Sequence, residues 1–404
     1  MKHFNKDQRN IAILFFTMAV MMIGFGVIIP IIPFYVEALG VGGKELGMLM
    51  AIFSIMQFVF APFWGSLSDK FGRKPILLIG VFGNAVSLML MGLSNTYWML
   101  FGSRALAGVL SSATLPTAMA YIADSTSERD RGGGMGLIGA AMGIGMVLGP
   151  GLGGWAAESS LSMPFFLAAG LSGLALALIL FFLPESLSAD KRSQDVHLAG
   201  PKLGAMWQAL VGPLGILFVL SFLVSFAMTN FEAVFGLYAL HRFAYGPRHV
   251  GGILTVVGLI SAIAQGALTG PTTRKWGEVS VIKISLAASA IGFVLMLMAT
   301  NFITVLLTVG FFVLANAMIR PSLSALISKL AREGQGLAMG LTNSFMSLGR
   351  VVGPIWAGLL FDANLHYPYL SGAVVMLVGF GLSLLYLSRK KHEVMERSSG
   401  VEPP

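Results

Sequence analysis

Cysteine is missing from all 404 residues. Its absence excludes disulfides, thiolate metal sites and a cysteine nucleophile. Charge is nearly as scarce. Only 11% of residues are charged and 56% are hydrophobic, whereas a soluble domain carries about 25% charged residues. Water cannot be the main solvent for such a surface. A large soluble enzyme would need amphipathic surface helices, and these are almost lacking. No HExxH metal cluster, no glycine-rich phosphate loop ending in Lys-Ser or Lys-Thr, and no plausible nucleophile pair appears. An enzyme, a nucleotide-driven pump and a receptor with a soluble sensing domain are all disfavoured by what is not there.

What is there comes in apolar runs of about 20 residues, long enough to cross a ~30 Å hydrocarbon core as helix. Twelve such runs are predicted, at 11–36, 46–66, 75–94, 97–123, 134–157, 163–183, 212–240, 249–270, 279–300, 302–328, 335–361 and 368–388. The first run lacks a small-residue cleavage site and is expected to be a retained span rather than a signal peptide. The expected organisation is an N-terminal six-helix bundle (1–185), a polar linker (186–207), a C-terminal six-helix bundle (208–390) and a tail (391–404). The fold class is all-α and integral to the membrane.

The formal net charge is +8, but its distribution speaks for lipid rather than nucleic acid. Lys70, Arg73, Lys74, Arg131, Lys191, Arg192, Arg274, Lys275, Lys329, Arg389 and Lys390 fall on alternate connections. The intervening ones hold only Lys44, Arg242 and Arg248. This positive-inside asymmetry predicts that both termini are cytoplasmic.

The two halves echo each other at a shift of 204 to 205 residues. Gly65–Gly72 aligns with Gly270–Gly277, Pro116 with Pro321, Met135-Gly136 with Met339-Gly340, Gly149-Pro150 with Gly353-Pro354, and Gly154 with Gly358. A parallel repeat of six spans is the sequence mark of a transporter whose halves rock around a central site.

The segment GSLSDKFGRKP (65–75) resembles the loop 2–3 signature of the major facilitator superfamily. Gly65, Asp69, Gly72 and Arg73 match it. The resemblance implies a latch on the outward-facing state, with Asp69 meeting a helix N-terminus or a basic partner. In the second half Arg274 replaces the aspartate, which implies that this copy has lost the latch. Arg104 and Gly108 in the fourth span resemble the family's RxxxG element, with Ala107 where many relatives have Gln. In proton-driven relatives that arginine is linked to proton transfer. An arginine among lipid-spanning helices must face protein or a wet cavity. Gly145, Gly149, Pro150, Gly153 and Gly154 in the fifth span resemble the antiporter motif gxxxGPxxGG, which favours exporters. Glycines four apart also let two helix backbones pack closely.

The whole chain is similar to the twelve-span drug:proton antiporters, in particular the quinolone and multidrug exporter branch. An exporter of that kind needs a protonatable group inside. Glu232, in the seventh span, is the one acidic residue far from a span end, and intramembrane carboxylates are functional by default. The resemblance implies that it couples protons and helps bind cations. Arg104 and Arg320 are the other proton-coupling candidates, Arg320 as a possible partner of Glu232. Some relatives carry an aspartate three residues before this arginine; here the position is Ala317. Arg350, mid-span in the eleventh helix, replaces a neutral polar residue of relatives. It either favours the ionised form of Glu232 or attracts anionic substrates, and the sequence leaves both open. Gln57, Asn343 and Arg350 join Glu232 as candidate substrate-binding residues. The abundant Phe and Met suit promiscuous apolar ligands, although core and lipid-facing positions draw on the same residues.

The expectation is therefore a monomeric, multi-pass cell-membrane protein that uses the proton gradient, without a cofactor, to export amphipathic, often cationic drug-like compounds and so confers antibiotic resistance. The expected partners are lipid, protons and small molecules, and no nucleic acid. A facilitator of one metabolite, such as an amino acid, sugar or siderophore, is the nearest alternative. A membrane enzyme or receptor is the remote one.

Overall fold

The computed structural model describes residues 6–127, 131–193, 203–331 and 334–398. Parts of the expected linker and tail, 194–202 and 399–404, lie outside them. Twelve helices are long and apolar enough to cross a membrane, and the described residues contain no strand. We number them α1 Arg9–Ala38, α2 Gly43–Phe71, α3 Arg73–Gly92, α4 Tyr97–Ser125, α5 Gly132–Ala156, α6 Met163–Phe182, α7 Gly215–Phe243, α8 Pro247–Trp276, α9 Glu278–Met298, α10 Phe302–Leu330, α11 Gln335–Ala363 and α12 Tyr367–Leu387. All twelve expected spans are present. Several run past their apolar stretch, α2 and α8 most clearly, because intrahelical hydrogen bonds continue where hydropathy ends.

Four local features were not foreseen. A short helix, Leu203–Val211, lies partly in the expected linker. Gly212 and Pro213 separate it from α7, which begins at Gly215 rather than 212. The helix of α12 continues to Ser398, so residues 391–398 of the expected tail are helical. In α8 a π-helical turn spans Ala264–Leu268, and the Thr269 hydroxyl donates to the Ala264 carbonyl at 2.7 Å. α4 is itself broken near Ser112, with Pro116 early in its second piece. Proline cannot donate the backbone bond a continuous helix would need there.

Packing divides the chain into two compact units, residues 1–201 with 235–258, and 202–234 with 259–404. The first is built on Leu14 and Met18 of α1, Leu77 and Val81 of α3, Tyr121 and Ile122 of α4, and Ile179 of α6. In the second, Phe293 of α9 packs on Phe312 of α10, with ring centroids 4.4 Å apart. Phe231 of α7 and Tyr369 of α12 extend this aromatic stack. The same pairings recur in each: α3 packs on α4 and α6, and α9 packs on α10 and α12. The sequence repeat is thus a repeat of contacts.

Candidate functional site

Glycine decides how closely α5 approaches its neighbours. A Cβ on Gly149 would lie 2.8 Å from the Gly26 Cα, and one on Gly145 would lie 2.5 Å from the Ala19 carbonyl oxygen. Gly153 meets Val27 in the same way. These three positions of α5 therefore face α1. Gly154 faces elsewhere: a Cβ there would lie 2.6 Å from the Pro247 carbonyl and 3.0 Å from the Gly251 Cα, in the first turns of α8. The glycine motif serves two neighbours at once, and α5 runs unbroken through Pro150. One repeat later, Gly349 and Gly353 of α11 bring that helix against Phe222, Phe226 and Thr229 of α7. The Ser225 hydroxyl donates to the Met346 carbonyl at 2.7 Å, and Thr229 donates to the Gly349 carbonyl at 3.1 Å.

That contact sets Glu232 of α7 near Arg350 of α11. Glu232 is largely buried, and among the described residues no ion pair joins it to a basic side chain. Arg350 stands within Coulombic reach of both Glu232 and Arg320. Arg350 is thus placed to favour the ionised carboxylate, one of the two roles left open for it by the sequence. Arg350 donates to the Ser347 hydroxyl at 2.9 Å, and Ser347 donates to the Asn343 carbonyl at 2.9 Å. Asn343, Ser347 and Arg350 share one face of α11, roughly 150–170° around the helix from its outward apolar stripe of Val352, Trp356 and Leu359. Four of the expected site residues, Glu232, Arg320, Asn343 and Arg350, therefore belong to one unit.

Arg104 and Gln57 belong to the other. Arg104 is 2% exposed and lies over the Phe53 ring, 4.6 Å from its centroid. Its Nε donates to the Leu49 carbonyl at 3.5 Å, a long bond, and its Nη1 has no partner. Gln57 is one turn along α2 from Phe53, on the same face. Gly108 makes room by bringing α4 onto the Phe53 backbone.

The α2–α3 connection forms a third cluster. The chain turns at Gly72, whose φ of +103° favours glycine. Arg73 pairs with Asp69 at 2.6 Å and with Asp124 at 2.8 Å, and donates to the Ser68 hydroxyl at 2.7 Å. The basic partner of Asp69 is thus its own neighbour one turn on. The α3 N-terminus is satisfied instead by Glu185, whose carboxylate accepts from the backbone of Arg73, Lys74, Ser186 and Leu187 at 2.9–3.1 Å. Nothing within 4 Å would meet a Cβ on Gly65. The second copy also turns at a glycine, Gly277 (φ +77°). Arg274 stands there in place of the aspartate, and beside the turn Glu278 pairs with Lys329. These positions lie 205 residues beyond Arg73 and Asp124. The pair is kept with its charges exchanged.

Comparison with known proteins decides the family. The model of the Major Facilitator Superfamily matches residues 14–246 and 217–403. The chain belongs to the Major Facilitator Superfamily. It is a multi-pass membrane transporter and not an enzyme. Multidrug resistance protein 2 of Bacillus subtilis is 33% identical over 391 residues, covering 96% of this chain and 98% of that protein. Quinolone resistance protein NorA of Staphylococcus aureus is 29% identical over 387 residues, covering 95% and 97%. Among solved structures, a bacterial homologue of the human lysosomal transporter Spinster superposes with a TM-score of 0.75 at 13% identity, covering 95% of this chain and 98% of that one. The human organic anion transporter MFSD10 gives 0.67 at 24%, covering 93% and 99%. Both share the superfamily fold.

Sequence reasoning did not single out Asp124, Glu185, Glu278 or Lys329 for this facilitator. Lys329 entered only as one of the basic residues of the charge asymmetry, and the repeat offset pairs it with Asp124. Glu185 carried no signal, because a carboxylate that caps a distant helix leaves no local pattern.

Proposed function

We propose that this facilitator is a proton-coupled exporter of amphipathic drug-like compounds, with Glu232 as the proton site. One observation carries the reading. A carboxyl deep in α7, without an ion pair among the described residues, adjoins the polar face of α11. A carboxyl with no permanent partner is free to trade a proton for a substrate group. Relatives alike over nearly their whole length are named for multidrug and quinolone resistance, which supports drug-like cargo. Alternating access follows as the mechanism: the glycine contacts of α5 close one side, and the Arg73 cluster steadies the other.

The test is efflux of a dye panel, spanning cations, zwitterions and anions, from proteoliposomes with an imposed pH gradient. Wild type is expected to move at least part of the panel only when the gradient is present. Glu232→Gln is expected to lose that dependence. Full gradient-driven efflux of every dye by the Gln variant would overturn the assignment.

A further inference from the structure

Among the described residues, Arg320 is the charged group least accounted for by its neighbours. It sits 18 residues into α10 and 10 residues from its other end, about 15 Å of helix at 1.5 Å per residue. It is exposed. Among the described residues none accepts a hydrogen bond from its guanidinium or pairs with it, although that group offers five donors in a fixed fork. The exposed face is not the lipid face. Ile303, Leu307, Phe311 and Leu314 form the outward apolar stripe of α10, and Arg320 lies roughly 135° around the helix from it. An ionised group in hydrocarbon is expensive, so its surroundings are wet.

The charge balance points the same way. Mid-span, this unit gathers two cations, Arg320 and Arg350, and one anion, Glu232. Arg350 is engaged by Ser347 and by the field of Glu232, so among the described residues the uncompensated mid-span cation of this unit is Arg320. Ala317, one turn before it, supplies no carboxylate. A site built to take simple cations would carry the opposite excess.

We propose that Arg320 is the seat for an acidic group of the substrate, a carboxylate or comparable oxyanion, and that this transporter's cargo is amphipathic and zwitterionic. The acid is held by the Arg320 fork, in the planar two-bond geometry that guanidinium and carboxylate share. The basic end of the same molecule faces Glu232. A proton on Glu232 then displaces the basic end, so substrate and proton compete as antiport requires. An anion lacking a basic end would instead bind more tightly to the protonated site. This inference rests on the proposed role of Glu232 in the preceding reading.

Rhodamine 110 and rhodamine 123 test it, because they differ only in a free benzoate against its methyl ester. Their equilibrium binding to the purified full chain is measured by fluorescence polarisation. Wild type is expected to prefer the free acid by about tenfold, the scale of a charge-assisted pair away from bulk water. Arg320→Gln brings the acid-to-ester ratio near one, and Arg320→Lys keeps an intermediate ratio. The ratio is read on one preparation, so partial misfolding lowers both affinities alike. Equal affinities in wild type, a tighter ester, no binding of the acid, or an unchanged ratio in Arg320→Gln overturns the proposal. Gradient-driven transport is scored separately. A chain that binds the acid selectively but moves neither dye tells against the exporter reading and leaves the acid seat standing.

Discussion

Arg104 and Glu185 show two ways a charged residue is used here, and substitution separates them. Arg104 rests on Phe53 with two long hydrogen bonds, to the Leu49 carbonyl and the Met50 sulfur, and an unpartnered Nη1. A buried cation so poorly compensated adds little to stability, and an apolar side chain of similar volume fits such a place without loss. Arg104→Met is therefore expected to fold with a melting temperature within a few degrees of wild type. Its gradient-driven transport is expected to fall at least about tenfold if the arginine serves proton movement. A large loss of melting temperature with normal transport per folded molecule would make the residue structural. Glu185 is the reverse case. Its carboxylate serves four backbone donors, and Glu185→Ala leaves the α3 N-terminus without that acceptor. The expected cost is about 1–3 kcal/mol, read as a lower melting temperature, with Glu185→Gln in between. Proximity to a span end hid Glu185 from sequence reading, whereas Glu232 stood out because nothing else acidic lies so deep.

Helix pairs carry the next level of argument. The three α5 glycines facing α1 predict a steric outcome: Gly149→Val drives a branched side chain into the Gly26 backbone and the Ile23 carbonyl. Overpacking of this kind costs about 1–3 kcal/mol and should lower both yield and melting temperature. Gly154→Val instead strikes Pro247 and Gly251 at the start of α8. It is expected to reduce transport more than stability, because α1 and α5 stay packed. Comparing thermal unfolding with transport in the two variants checks the distinction. The exchanged charges predict a rescue. Glu278→Lys places two lysines together, and adding Lys329→Glu restores an opposite pair. Lys329 is well exposed, so the pair is worth no more than about 1 kcal/mol. Transport rate, rather than unfolding, is therefore the measurement that should fall in the single variant and recover in the double. The repeat offset was legible in the sequence as glycines and prolines. The inverted ion pair was not, because alignment by residue identity discards a match that preserves geometry while reversing sign.

For the whole molecule, hydropathy alone located all twelve spans, since lipid demands one apolar stretch of fixed length per crossing. It placed their ends less well, because a helix stops where its backbone bonds are capped and not where its side chains turn polar. Grouping by contact was also beyond it: residues 235–258 pack with the first unit, through Gly251 against Gly154 and an Arg248–Glu158 pair at 2.9 Å. The direction of insertion rests on the charge asymmetry of the connections, and the missing cysteine makes that testable without background. Ser160, exposed between α5 and α6, and Ser193, exposed beyond α6, lie on opposite sides if the lysine and arginine bias is obeyed. Single variants Ser160→Cys and Ser193→Cys should then differ toward a membrane-impermeant maleimide. The first is expected to react in intact cells. The second should react only after permeabilisation, since the same bias would put both termini and the α6–α7 connection in the cytoplasm. The opposite labelling pattern would invert the protein in the membrane, and with it the export direction proposed for it.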